Sequence, residues 1–251
     1  MLTSAAVVPA APLLVPEVAR GAAGELDGCR QAIDAALASL LAQAPDVVVL
    51  VGAGERTMRH GEGAEGSLRP VGVDVCVSLG RPPPVPGRSA PLPPTSPSSL
   101  PLSLALGAWL LRRAGWAGRV VGLEVAVSAA PQVCLGVGVG LAEDRSRTAL
   151  LVVADGTARR GPAAPGYTDE RAEVFDRGWL AALGHADAES LAVLDPALAD
   201  DLMMTGRAPL QVLAGASRDR AWAGEVLYAD DPYGVQYAVA RWLPAGDAAD
   251  G

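Results

Sequence analysis

Two short runs constrain this chain more than any other feature: Val47-Val48-Val49-Leu50-Val51 and Thr148 through Val153. A strand covered on one face alternates apolar with polar side chains, whereas a strand covered on both faces reads as continuously apolar. Both runs are too short for a buried helix and rich in β-branched residues, and residues 2–8 read the same way. They fit central strands of a sheet packed on both sides. Between them the period changes. Leu26, Cys29, Ile33, Leu37 and Leu40 recur at steps of three and four, so 17–43 reads as one amphipathic helix stopped by Pro45.

Pro101 can open a helix that closes at Arg112, Arg113 and Gly115, with proline, basic last turn and glycine in their favoured places. Ala172, Phe175, Trp179 and Leu183 form another stripe behind a Thr168 cap. Asp195-Pro196 starts a further helix that Gly206 ends. Strands are expected at 71–79, 119–127, 223–229 and 234–243, while 131–143 stays open between irregular chain and a glycine-weakened helix. The alternation predicts one three-layer α/β/α domain over 1–251, with a central, largely buried mixed sheet. The proline- and serine-rich stretch 81–99 is expected to be a surface loop within it.

Composition narrows the function classes. Half of the 251 residues are apolar, enough for a large core and too many for a disordered chain. The net charge is −8 with no basic stripe, which argues against nucleic acid as a partner. Every basic residue is arginine, so a lysine Schiff base, a pyridoxal linkage and a P-loop lysine are all excluded. The apolar start lacks a basic region and soon meets Pro9 and Pro12, so neither a signal peptide nor a membrane span is expected, and the cytoplasm is the expected location. Cys29, Cys76 and Cys134 lack metal or disulfide spacing and are expected to be buried thiols.

Generic motifs are scarce. Gly52-Ala53-Gly54 follows a strand, but Thr57 stands where a dinucleotide loop needs its third glycine. No GxSxG, HExxH or Walker A sequence occurs, and His60 and His185 are expected at the surface. Asp155-Gly156-Thr157-Ala158-Arg159-Arg160 directly follows a buried strand, where open α/β sheets line their ligand crevice.

Four segments together resemble the class III extradiol ring-cleavage dioxygenases, closest to their small LigB-like actinobacterial subgroup. Val8-Pro9-Ala10-Ala11-Pro12-Leu13-Leu14-Val15-Pro16-Glu17 is similar to the family's opening Pro-His-Pro-Pro-Leu-Leu-x-Pro-Glu, with Ala10 at the histidine. Val47 to Gly54 resembles the strand ending in Ser-Pro-His, with Ala53 at the histidine. Val152 to Gly166 with Phe175-Asp176 resembles the family's Gly-Asp-Leu-Ser-His-Arg segment, its Pro-x-Gly-Tyr and its later Phe-Asp; Asp155 and Arg159 persist and Ala158 replaces the histidine. Asp231-Pro232-Tyr233-Gly234-Val235-Gln236-Tyr237 is similar to the closing Pro-Tyr-Gly-Val-Gly-Tyr.

Membership would imply ferrous iron on two histidines and a glutamate, with a third histidine as the acid–base group. Alanine offers neither a lone pair nor a transferable proton. Ala10, Ala53 and Ala158 are therefore vacated metal and base positions, Glu225 is the retained carboxylate candidate, and no catalytic residue, metal or cofactor is expected. The resemblance thus implies a degenerate dioxygenase-like protein that keeps a strand-end cleft for a small molecule or a protein partner. Pro12, Gly52, Glu55, Asp155, Thr157, Arg159 and Tyr233 are the cleft candidates, with Arg159 available to an anionic ligand. Two alternatives stay open. One is an active metal-dependent dioxygenase or other oxidoreductase on an aromatic substrate, with ligands relocated to Glu55, His60, Asp155 and Glu225. The other is a structural subunit of a larger assembly or oligomer, marked by exposed apolar surface.

Overall fold

Leu2–Val8 forms strand β1, and all seven of its residues are buried. A short helix α1 (Pro16–Ala19) runs into a 3-10 segment (Arg20–Leu26) and then helix α2 (Asp27–Ala42). The chain continues through β2 (Val47–Gly54), β3 (Met58–His60), β4 (Glu65–Ser67) and β5 (Cys76–Ser78). After these come α3 (Leu102–Arg113), β6 (Arg119–Ala126), α4 (Pro131–Ala142) and β7 (Thr148–Val153). Helices α5 (Arg171–His185), α6 (Ala188–Ala192), α7 (Pro196–Asp201) and α8 (Arg207–Ala216) lead to β8 (Trp222–Asp230) and β9 (Tyr237–Pro244). This is a computed structural model that describes residues 1–80 and 99–246. The loop expected at 81–99 lies outside the described residues except for its last position.

Seven strands form one mixed sheet in the order β3-β6-β2-β7-β1-β9-β8, with β4 and β5 pairing separately. β6, β2, β7 and β1 are parallel, while β3 pairs antiparallel with β6, β9 with β1, and β8 with β9. Successive side chains of β2 enter different cores. Val47, Val49 and Val51 join residues of α4, α5 and α8 on one face. Val48 and Leu50 join those of α2 and α3 on the other. Each fully buried valine or leucine contributes roughly 1.5–3 kcal/mol, which is why the continuous apolar runs become the two-sided centre. The architecture is α/β/α in three layers around a mixed sheet.

The structure corrects several local expectations. The stretch 17–43 is not one helix: Arg20 has φ 50° and the chain stays in 3-10 form to Leu26, where Gly21 and Gly24 weaken the α-helix. The alternating valines at 71–79 mostly pack from a loop. Pro70 lies in a 3-10 turn and Gly72 takes φ 88°, leaving only Cys76–Ser78 as strand. The helix after Asp195 stops at Asp201, and α8 is an element that the sequence did not disclose. Pro209 obscured it, but a proline in the first turn removes no helical hydrogen bond. Residues 131–143 are mostly helical. Of their glycines only Gly138 is required by packing, since a Cβ there would sit 2.2 Å from the Val212 carbonyl oxygen of α8. Cys76 is exposed rather than buried.

Candidate functional site

Val8 of β1 pairs with Val153 of β7, Val153 with Gly52 of β2, and Gly52 with Glu124 of β6. These residues stand abreast across four parallel strands, so the segments after them emerge from one carboxyl edge. Ala10, Ala53 and Asp155 come one or two residues after this row and remain partly exposed.

A hydrogen bond closes the centre of the edge: the Ala10 N–H donates to Asp155 Oδ1 at 2.8 Å. Among the described residues Oδ2 has no hydrogen-bond partner, and it is not sealed from solvent. No arginine or histidine among them pairs with this carboxylate. Surrounding protein pushes its pKa up to about 7, because burial penalises the charged form more than the Ala10 bond favours it. The Asp155 carbonyl accepts from Gly206 N–H at 3.1 Å, an approach that a side chain at Gly206 would block.

Behind Asp155 the loop is held by a second carboxylate. Asp176 of α5 is 1 % exposed. Its Oδ1 accepts from Thr157 N–H at 3.0 Å and Trp179 Nε1 at 2.8 Å, and its Oδ2 accepts from the Thr157 hydroxyl at 2.6 Å. Burial still raises its pKa, opposed by these bonds. Gly156 N–H donates to the Gln236 carbonyl, Gln236 N–H to that of Thr157 and Arg160 N–H to that of Gly234, while Arg160 Nε reaches Asp231 at 2.7 Å. The segments that the sequence singled out separately, 155–160 and 231–237, are thus laced into one lip.

The candidates divide. Ala10, Pro12, Gly52, Ala53 and Asp155 share the edge. Ala158 lies deeper in the lip, 9 % exposed, with its N–H donating to the Leu202 carbonyl. Thr157 is fully buried against Asp176 and unavailable to a ligand. Arg159 donates to the Gly166 carbonyl and its Nε is buried without a partner, so its guanidinium braces the lip instead of projecting as a free cation. The Tyr233 hydroxyl donates to Glu25 at 2.9 Å. The Glu55 side chain is exposed, and its N–H donates to Glu124 Oε1 at 3.0 Å.

Two expectations are corrected. His60 is not a surface residue: it is 4 % exposed, with Nε2 3.0 Å from Glu124 Oε2, because β3 closes one side of β6. Glu225 is not at the carboxyl edge. It lies within β8 opposite Arg241, which donates to it at 2.7 Å. β3 and β8 are the two outer strands of the sheet, six spacings or roughly 29 Å apart, so His60 and Glu225 cannot share a metal.

Iron does not fit the residues present. Two methyl groups and one carboxylate oxygen make no facial triad, and no three of His, Cys, Asp and Glu among the described residues form a metal-ligating group.

Sequence reasoning missed Glu124, and it named Asp176 and Tyr237 only within the segments that carry the resemblance, without a role for either. A lone acidic residue inside an apolar strand was a readable signal for Glu124. Tyr237 read as part of a closing strand and as the end of the segment similar to Pro-Tyr-Gly-Val-Gly-Tyr. It opens β9, and continuing the β1–β9 register sets it beside Ala10.

No protein-family model matches this chain, and no curated protein does. Among solved structures it is similar to the uncharacterised protein JW3007 of Escherichia coli K12. The identity is 13 %, over 96 % of this chain and 99 % of that one, with a TM-score of 0.54. At that identity the likeness shows the fold alone. Among the described residues, no helix is long and apolar enough to cross a membrane.

Proposed function

We propose that this chain is a dioxygenase-like protein that has given up iron-dependent ring cleavage and uses its strand-end cleft to bind a small molecule. The observation that carries this reading is Asp155. One oxygen is fixed by Ala10 and the other has no hydrogen-bond partner among the described residues, while Ala10, where the resemblance would place an imidazole, offers only a methyl group beside it. Apolar walls with few fixed polar groups are what a small-molecule site offers. The buried Asp176 network holds the loop after Asp155 in one geometry, so the site is largely pre-formed. A screen of small organic fragments by backbone amide chemical shifts tests this. Perturbations at Ala10, Ala53 and Asp155 that vanish in Ala10→Leu support the reading. Hits confined to other surfaces contradict it.

A second reading, a subunit of a larger assembly, is favoured by α4. It has no charged residue in twelve, and Val133 and the nearby Val127 are 49 % and 47 % exposed. Light scattering across a dilution series tests that reading: self-association that Val133→Glu removes supports it, and a monomer at every concentration argues against self-assembly.

A further inference from the structure

When Asp155 ionises, the carboxyl edge carries a negative charge that no cation among the described residues pairs with. The groups acting on Asp155 are its own burial and the Ala10 N–H, with no cation among them. Arg159 is turned to the Gly166 carbonyl. Arg30, beside the neighbouring tyrosines, is turned to the Ala23 carbonyl and lies 3.5 Å from Asp27. Asp230 and Glu25, the carboxylates nearest those tyrosines, add charge of the same sign.

A second, independent group points the same way. Tyr237 is only 5 % exposed, yet its hydroxyl has no hydrogen-bond partner among the described residues. That oxygen is not among the sealed, unpartnered atoms, so it reaches accessible space. Buried phenols normally find a partner. Continuing the β1–β9 register sets Tyr237 beside Ala10, whose N–H holds Asp155, so the two groups are neighbours; burial first, and then the charge of Asp155, make the phenol titrate high. Tyr228 and Tyr233 belong to the same group, so three of the chain's four tyrosines gather here.

We propose that the cleft takes a small organic cation, a protonated amine on an apolar body, with its ammonium held by Asp155 Oδ2 and the Tyr237 hydroxyl. This rests on the small-molecule reading of the cleft. An ammonium has three donors for the two free oxygens and supplies the missing positive charge. Its body packs on Ala10, Pro12 and tyrosine rings, whose faces also attract cations. A metal ion would need ligands that the site lacks. A neutral alcohol would satisfy the oxygens but leave the charge uncompensated.

The test is calorimetry on the whole chain with 2-phenylethylamine, its neutral counterpart 2-phenylethanol and the anion 3-phenylpropanoate. The amine is expected to bind at least about tenfold more tightly than the alcohol, and the anion not at all, since charge-assisted hydrogen bonds are about twice as strong as neutral ones. Asp155→Asn keeps an oxygen for the Ala10 N–H and is expected to bring the amine down to the alcohol's affinity. Tyr237→Phe is expected to weaken it by about threefold. Equal binding of amine and alcohol, unchanged in Asp155→Asn but lost in Ala10→Leu, overturns the amine and leaves the cleft standing. Binding of no probe, or binding that none of the three variants changes, overturns the proposal and counts against the cleft reading as well.

Discussion

Asp155 carries a structural bond to Ala10, while its ionisation opposes folding. Its folded pKa, up to about 7, lies above the ordinary carboxylate value, so the folded state holds a proton that the unfolded chain has released. Stability contributed by the neutral acid is therefore fully present below the unfolded pKa, near 4, and is lost as pH rises to about 7. The loss is on the order of 2–4 kcal/mol, at the lower end if solvent reaching Oδ2 screens the charge. Denaturant unfolding from pH 4 to pH 8 should show this decline, and Asp155→Asn should flatten it. Asp176 tests a different role. Asp176→Ala leaves Thr157 and Trp179 Nε1 without acceptors in a buried site, a cost of roughly 2–4 kcal/mol that a thermal melt reads directly. At this scale the sequence showed Asp155, because it comes just after a buried strand. It named Asp176 and Tyr237 within longer segments but not their roles, because a hydroxyl's missing partner and a carboxylate's three donors exist only once β9 and α5 are in place.

Elements were legible where burial alone decides them. β2 and β7 emerge as read because their runs are almost wholly apolar, and β6, β8 and β9 fall close to their expected bounds. The failures occur where local rules compete. Val71, Val73 and Val75 alternate like a strand, but Pro70 and Gly72 bend the chain first. Helix α8 was masked by Pro209 and by Gly215, whose lack of a side chain serves the contact with Leu135 of α4. That contact gives a paired prediction. Gly138→Ala forces α4 away from the α8 backbone and should cost about 1–3 kcal/mol. Gly136→Ala and Gly140→Ala meet nothing within 4 Å and should stabilise the protein by roughly 0.5–1 kcal/mol. Chemical denaturation of the three single variants separates a packing requirement from a mere run of glycines.

For the whole molecule, one sheet serves two ends unequally. The β-branched centre is sealed by helices on both faces, while the carboxyl edge brings Ala10, Asp155 and Tyr237 together on the α2–α3 face, with Ala10 and Asp155 partly exposed. The scaffold around the edge is braced by Asp176, Arg159 and Arg160, none of which a small ligand needs to touch. If Ala10, Ala53 and Ala158 stand where imidazoles would, as proposed, the chain lacks ferrous ring cleavage. Oxygen uptake with catechol after anaerobic loading with ferrous iron tests it, comparing the natural chain with the triple variant Ala10→His, Ala53→His, Ala158→His. The natural chain is expected to show no iron-dependent uptake, and stoichiometric ferrous binding is expected only in the variant, at a folding cost of about 1–3 kcal/mol where Ala158 is enclosed. Tight ferrous binding with ring cleavage by the natural chain would contradict it.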